Sequence, residues 1–339
     1  MASRRITSVR PLWAIEGGRV TLDGEGFPIE RGVPHVRMGA QPARLSAAAS
    51  SSLTIIVPGG LEGGSTAVRV DELPGETAFV ETGAPLVSGV HHVDSPAYDR
   101  HGNLYVTFSG SRGQQAPVAI FVVRPDGTRE PFVTDLPNPT SLAFDRDGRL
   151  YVSSRFDGSV YRVEADGKAS LYATDLGVAC GLAFGPDGML YVGDRSGSIL
   201  RVEGDARARQ FATLPPSIAA FHLAFGPDNH LYVTAPTLDS NDGIYRISPA
   251  GIVSAWSQGF GRPQGLAFDA SGNLYVIDAL AGSSALYRLR LDAPDHHELL
   301  VSGGPLIGLA FDPHGGIALA SSETVYRLNV PLRGLLPLR

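Results

Sequence analysis

The sequence predicts an all-β chain: a small N-terminal Ig-like β-sandwich followed by a six-bladed β-propeller with four-stranded antiparallel blades. Three observations carry this. Short β-branched and aromatic runs alternate with turns drawn from 41 glycines and 25 prolines, and no long segment shows helical apolar periodicity. One phrase appears six times: SPAYDRHGNLYV from Ser95, TSLAFDRDGRLYV from Thr140, CGLAFGPDGMLYV from Cys180, HLAFGPDNHLYV from His222, QGLAFDASGNLYV from Gln264 and, degraded, IGLAFDPHGGIAL from Ile307. Its shared alanine (Ala97, Ala143, Ala183, Ala224, Ala267, Ala310) returns every 40 to 46 residues, the period of propeller blades.

The N-terminal part comes first in the chain. From Ile6 to Phe27 apolar and polar residues alternate around Gly17-Gly18 and Gly26, and SLTIIVP at Ser52 and STAVRV at Ser65 continue the pattern. Its length and turn spacing suit a small sandwich. In the repeats, GLAFD reads as a strand buried on both faces. The Asp-Gly or Asp-Asn pair supplies the turn, and LYV returns antiparallel. VYRV at Val160, ILRV at Ile199, IYRI at Ile244, LYRL at Leu286 and VYRL at Val325 are third strands. EPFVTDL from Glu130, SLYATDL from Ser170 and ARQFATL from Ala208 are fourth strands. The last repeat runs instead into PLRGLLPLR, whereas the stretch from Glu76 to Ser88 resembles a fourth strand. That stretch is expected to complete the sixth blade, closing the ring and removing its exposed edges. The expected divisions are 1–75 for the sandwich, 76–330 for the propeller and 331–339 for a C-terminal tail.

A net charge of −6 argues against nucleic acid as a partner. No apolar run approaches the roughly 20 residues that cross a bilayer, so no membrane partner is expected. The opening MASRRITSVRP lacks the apolar core of a secretory leader. The single cysteine, Cys180, forms no internal disulfide, which fits a reducing compartment. Cytoplasmic residence is the expectation.

Loops before GLAFD and after LYV gather at one mouth of the channel, where irregular loops on a rigid scaffold can carry function. They bring His91, His92, Asp94, Arg112, Gln114 and Gln115 from blade one, and Asn138, Thr140 and Arg155 from blade two. Blades three to five add Cys180, Asp194 and Arg195, then His222, then Arg262, Gln264 and Asp278. Arg155 and Arg195 hold equivalent places in neighbouring blades. Arg112, Arg155, Arg195 and Arg262, with His92, His222 and Gln264, are the candidate ligand-binding set. Guanidinium groups there suit a carboxylate or phosphate held by paired hydrogen bonds. The competing reading has each arginine bracing a loop through Asp194, Asp278 or a backbone carbonyl. Cys180 and His222 begin neighbouring innermost strands and form a candidate thiolate–imidazole pair, against an inert buried cysteine. Asp239, Asn241 and Asp242 read as a calcium loop or an ordinary turn.

Two resemblances follow from these residues. The N-terminal segment resembles IPT/TIG domains through Val9, Pro11, Gly17, Gly18, Val20, Leu22, Gly24 and Phe27, which implies a spacer or interaction module. Residues 77 to 330 resemble the NHL-type and gluconolactonase/regucalcin-like six-bladed propellers. The lactonase members hold one divalent cation at the mouth. Their ligand positions fall on Asp94, Thr140, Cys180 and Gln264. One carboxylate with Thr, Cys and Gln is a poor cage for a hard cation. His91, His92 and His222 resemble, by residue type alone, the transition-metal site of NHL-type amidating lyases, against the reading of ordinary satisfied loop histidines. The leading expectation is therefore a non-catalytic propeller whose mouth binds a small anionic molecule or a protein partner. The alternative is a lactone or ester hydrolase using Ca, Mg, Mn or Zn beside Asp94, whose carboxylate would be the catalytic group.

Overall fold

A computed structural model of the chain describes residues 4–73, 75–90, 95–110, 113, 116–239, 241–279 and 284–335. The sandwich forms as the alternation requires. In one sheet Arg5–Arg10, Arg19–Glu25, Ser52–Ile56 and the outer half of Gln41–Ala49 pair antiparallel. In the other, Val36–Met38, Gly64–Val70 and Ala78–Thr82 do the same. Gln41–Ala49 crosses between them, its first residues pairing with Val36–Met38. Every second residue points inward, so Val20, Leu22, Leu53, Ile55, Val36, Met38, Val68 and Val70 form one core.

The stretch expected to close the ring is divided between the two modules. Ala78–Thr82 pairs with Gly64–Val70, so the sandwich's pairing runs on past residue 75. Ala84–Ser88 then pairs with Thr324–Leu328 and is the outer strand of blade six. The ring closes as anticipated, with an N-terminal strand on a C-terminal blade.

Blade one contains Ala97–Tyr98, Leu104–Thr107, Ile120–Val123 and Arg129–Val133, in order from the axis outward. Blade two runs from Pro139–Phe144 to Ala169–Ala173, blade three from Ala179–Phe184 to Ala208–Thr213, and blade four from His222–Phe225 to Val253–Phe260. Blade five runs from Pro263–Phe268 to Ala293–Ser302, and blade six starts with Leu306–Phe311 and Ile317–Ser321. The innermost strands touch in sequence, and Ala97–Tyr98 touches both its neighbour in blade two and Leu306–Phe311. This is a closed circle.

The repeated letters now have physical causes. The tyrosine of LYV packs edge-on against the phenylalanine of the next blade's GLAF. Tyr105–Phe144, Tyr151–Phe184, Tyr191–Phe225, Tyr232–Phe268 and Tyr275–Phe311 have ring centroids 4.9 to 5.4 Å apart. Such pairs add about 0.5–1.5 kcal/mol each beyond burial. Blade six has Ala318 where the tyrosine would stand, at the seam that Ala84–Ser88 closes. The turn aspartate is structural: Asp269 accepts the Ser271 and Asn273 amides at 2.9 and 2.8 Å and the Tyr275 hydroxyl at 3.0 Å. In blades three and four glycine takes that position, and Asp187 and Asp228, two residues on, accept the hydroxyls of Tyr191 and Tyr232.

A short insertion joins the modules. Trp13–Ala14 pairs parallel with Glu81–Thr82 on one side and Val301–Ser302 on the other, merging sandwich and blade five into one sheet. Ile15 is buried with Tyr275, Leu286, Leu306 and Leu328 in the propeller's core. Of the tail, residues 331–335 lie on blades five and six, with the Leu335 amide on the Phe268 carbonyl at 2.9 Å.

Candidate functional site

The second strand of a blade ends beside the loop that leads into its first strand, so both loops open on the same face. Their polar residues organise them. Asp194, buried at the end of a blade-three strand, accepts the Val178 amide at 2.8 Å and also bonds the Ser196 hydroxyl. Gly177 must be glycine there: its φ is +69° and a β-carbon would stand 2.5 Å from the Asp194 carboxyl carbon. Asp278 repeats the device in blade five, accepting the Gly261 amide at 3.0 Å and the Arg262 amide at 2.6 Å. In blade four Asp242 takes the amide and hydroxyl of Thr237 at 2.9 and 2.7 Å, the bracing of a turn. Buried Asn138, with φ of +40°, bonds the Ser109 carbonyl and receives the Gly113 amide at 2.7 Å.

These carboxylates serve backbone amides, which leaves the arginines without them. Arg155 gives one bond, at 3.4 Å, to the Gly110 carbonyl of blade one. Arg195 gives one, at 2.8 Å, to the Ile218 carbonyl of the loop entering blade four. In both the Nε is buried with no partner among the described residues, and neither guanidinium meets a carboxylate there. The loop-bracing reading is thus right about backbone carbonyls for Arg155 and Arg195, and Asp194 and Asp278 brace amides rather than guanidinium groups. Arg262 is exposed and, among the described residues, anchored only through its backbone.

His222 occupies the axis. Its Nδ1 lies 3.3 Å from the Ser95 hydroxyl, spanning from blade four to blade one on the opposite side of the ring. Burial pushes its imidazole down to about 4, so it is neutral at pH 7; the Gln264 side chain beside it partly offsets the shift. Among the described residues no hydrogen bond of sound geometry reaches Nε2. The expected Cys180–His222 pair is therefore replaced at Nδ1 by Ser95, which sequence reasoning did not select. Among the described residues no carboxylate pairs with this imidazole.

Asp94, His91, His92, Arg112, Gln114 and Gln115 lie outside the described residues. Of the other family-ligand positions, Thr140 is buried and bonds the Asn138 carbonyl at 3.3 Å, Cys180 is buried, and Gln264 is buried beside His222. Among the described residues no three His, Cys, Asp or Glu side chains cluster to hold a metal. Thr140, Cys180 and Gln264 by themselves bring no carboxylate to a hard divalent cation.

Comparisons with known proteins bear on this geometry. The IPT/TIG domain model matches residues 5–77. The N-terminal module is an IPT/TIG domain. A model described as strictosidine synthase-like, N-terminal, matches residues 181–202 in blade three. No curated protein matches the chain in sequence. Among solved structures, a gluconolactonase from Xanthomonas campestris matches with a TM-score of 0.62 at 17% identity, covering 88% of this chain and 98% of that one. An auxiliary nutrient binding protein from Bacteroides thetaiotaomicron VPI-5482 matches with a TM-score of 0.55 at 14% identity, covering 96% and 97%. The virginiamycin B lyase of Staphylococcus aureus matches with a TM-score of 0.51 at 14% identity, covering 72% and 87%. At such identities the likeness is one of fold. A fold shared by proteins of such different names leaves chemistry to be argued from the site.

Proposed function

We propose that the propeller mouth of this protein binds a small anionic molecule, with the IPT/TIG domain as a rigidly attached spacer. The observation that carries this is the state of Arg155 and Arg195: two half-buried guanidinium groups at equivalent rim positions, each on a single carbonyl, with the neighbouring carboxylate of Asp194 committed elsewhere. Donors left over in a partly desolvated place favour an oxyanion more strongly than exposed ones. Exposed Arg262 adds positive potential at the same face. The fold is shared with an auxiliary nutrient binding protein, which agrees with a small-molecule ligand.

Isothermal titration with gluconate and with inorganic phosphate tests the proposal. Wild-type protein is expected to bind at least one of them, and Arg155→Gln with Arg195→Gln to weaken that binding at least about tenfold, the loss of one charged hydrogen bond. Unchanged binding in the double variant refutes it. Hydrolysis of gluconolactone that needs Ca²⁺, Mg²⁺, Mn²⁺ or Zn²⁺ and is lost in Asp94→Ala would replace it with the hydrolase reading.

A further inference from the structure

Most large apolar side chains that stand exposed are isolated. Leu171, Ile252 and Leu299 sit in or beside outer strands, and Val33 and Phe79 belong to the N-terminal domain. Single exposures of that kind are ordinary. Phe156, 51% exposed, follows Arg155 at the mouth, but Ile218 and Leu238 differ in standing on loops tied to one another. They come from two loops of blade four that both open on the mouth, and they are 37% and 90% exposed.

The chain ties these two loops to each other and to Arg195. The Ser217 amide bonds the Arg195 carbonyl at 3.0 Å, and the Arg195 guanidinium bonds the Ile218 carbonyl at 2.8 Å. The Ile218 amide and Ser217 hydroxyl both bond the Pro236 carbonyl, at 2.9 and 2.8 Å. Thr237 is clamped by Asp242, and its hydroxyl accepts the Asp239 amide at 3.0 Å. Leu238 therefore stands on a braced loop two residues from the Ile218 anchor. Exposed apolar side chains on two braced loops, beside a guanidinium that meets no carboxylate among the described residues, cost little backbone entropy to use.

From this arrangement we infer that the anion taken at the mouth is amphipathic: a carboxylate on Arg195 whose apolar body lies across Ile218 and Leu238. The inference rests on the anion-binding reading and deepens it. A purely polar anion leaves both side chains in water, whereas an alkyl or aryl acid covers them. An anionic bilayer could present similar chemistry, but the chain's net charge of −6 opposes approach to one.

The test uses the full chain and a series of straight-chain acids from acetate to decanoate, followed by calorimetry and by methyl NMR shifts of Ile218 and Leu238. Full burial of a methylene is worth roughly fourfold in affinity. Partial cover by two side chains should still give about tenfold between hexanoate and decanoate. Arg195→Gln should weaken every acid, whereas Ile218→Ser with Leu238→Ser should flatten the chain-length dependence and spare acetate. Leu171→Ser, on the outer edge of blade two, should change nothing. Gluconate binding with no gain from chain length overturns this inference and leaves the anion site standing; binding of no anion overturns both. A chain-length gain that persists in the double serine variant also overturns it. So does binding to phosphatidylserine vesicles without binding of free decanoate.

Discussion

Ile15→Ala should destabilise a propeller that begins more than sixty residues later in the chain. Ile15 is 1% exposed and packs among Tyr275, Leu286, Leu306 and Leu328. Two glycines press against its branches: a β-carbon on Gly83 would stand 2.6 Å from Cγ2, and one on Gly303 2.9 Å from Cγ1. The substitution removes three carbons, about 2.4 kcal/mol of transfer free energy at ~0.8 kcal/mol each. The glycine backbones on either side are held in place: the Gly83 amide bonds the Ala14 carbonyl at 2.9 Å, and the Gly303 amide bonds the Ser284 carbonyl at 3.1 Å. The hole should therefore persist, raising the cost to about 3–4 kcal/mol. With a urea slope near 3 kcal/mol/M, the midpoint should fall by about 1 M. The chain has two tryptophans, Trp13 and Trp256, so Trp256 fluorescence in a Trp13→Phe background reports the propeller alone. Val20→Ala, in the sandwich core, is the control. A shift in Trp256 unfolding below about 0.3 M would refute the claim that the insertion is part of the propeller's core.

Other outcomes follow from the same geometry. Asp269→Ala removes the acceptor of two amides and of the Tyr275 hydroxyl in a buried turn, and should cost about 2–4 kcal/mol in a thermal or urea melt. Asp194→Ala should lose about 1–3 kcal/mol and also weaken anion binding, because the loop presenting Arg195 loses its brace. His222 supplies a pH dependence whose sign is set by its depressed value. Between the ordinary 6.5 and about 4 the unfolded chain binds a proton that the folded imidazole refuses. Stability from this group is thus full above pH 6.5 and is lost as pH falls toward 4. Urea midpoints at pH 7 and 4.5 should show His222→Gln losing about 2–3 kcal/mol less on acidification than wild type. An equal loss in both proteins would contradict the buried, neutral imidazole.

The blades and their strand order were legible because each repeat carries its own local instructions. Alternation selects the faces, Asp-Gly selects the turn, and the Tyr and Phe of neighbouring copies find each other at a fixed offset. The closing strand was legible for the same reason, as a fourth-strand pattern stranded at the wrong end of the chain. Its division at Gly83 was not, since Ala78–Thr82 and Ala84–Ser88 read alike until their partners are known. At the mouth, sequence position singled out Arg155, Arg195, His222 and Gln264, of which His222 and Gln264 lie buried side by side at the axis. It passed over Ser95, Ile218 and Leu238, although a leucine amid the polar residues of TAPTLDSNDG was a signal in plain view.

Local sequence alone determined that this is a ring of like modules behind a small sandwich, because strands and turns are encoded within a few residues of where they form. Only the tertiary structure decided which partner each polar group received. Asp194 could have neutralised Arg195 but took loop amides; His222 could have met Cys180 but reached across the axis to Ser95. Pairings of that kind depend on distances between residues far apart in the chain, and closure of the circle is what sets those distances.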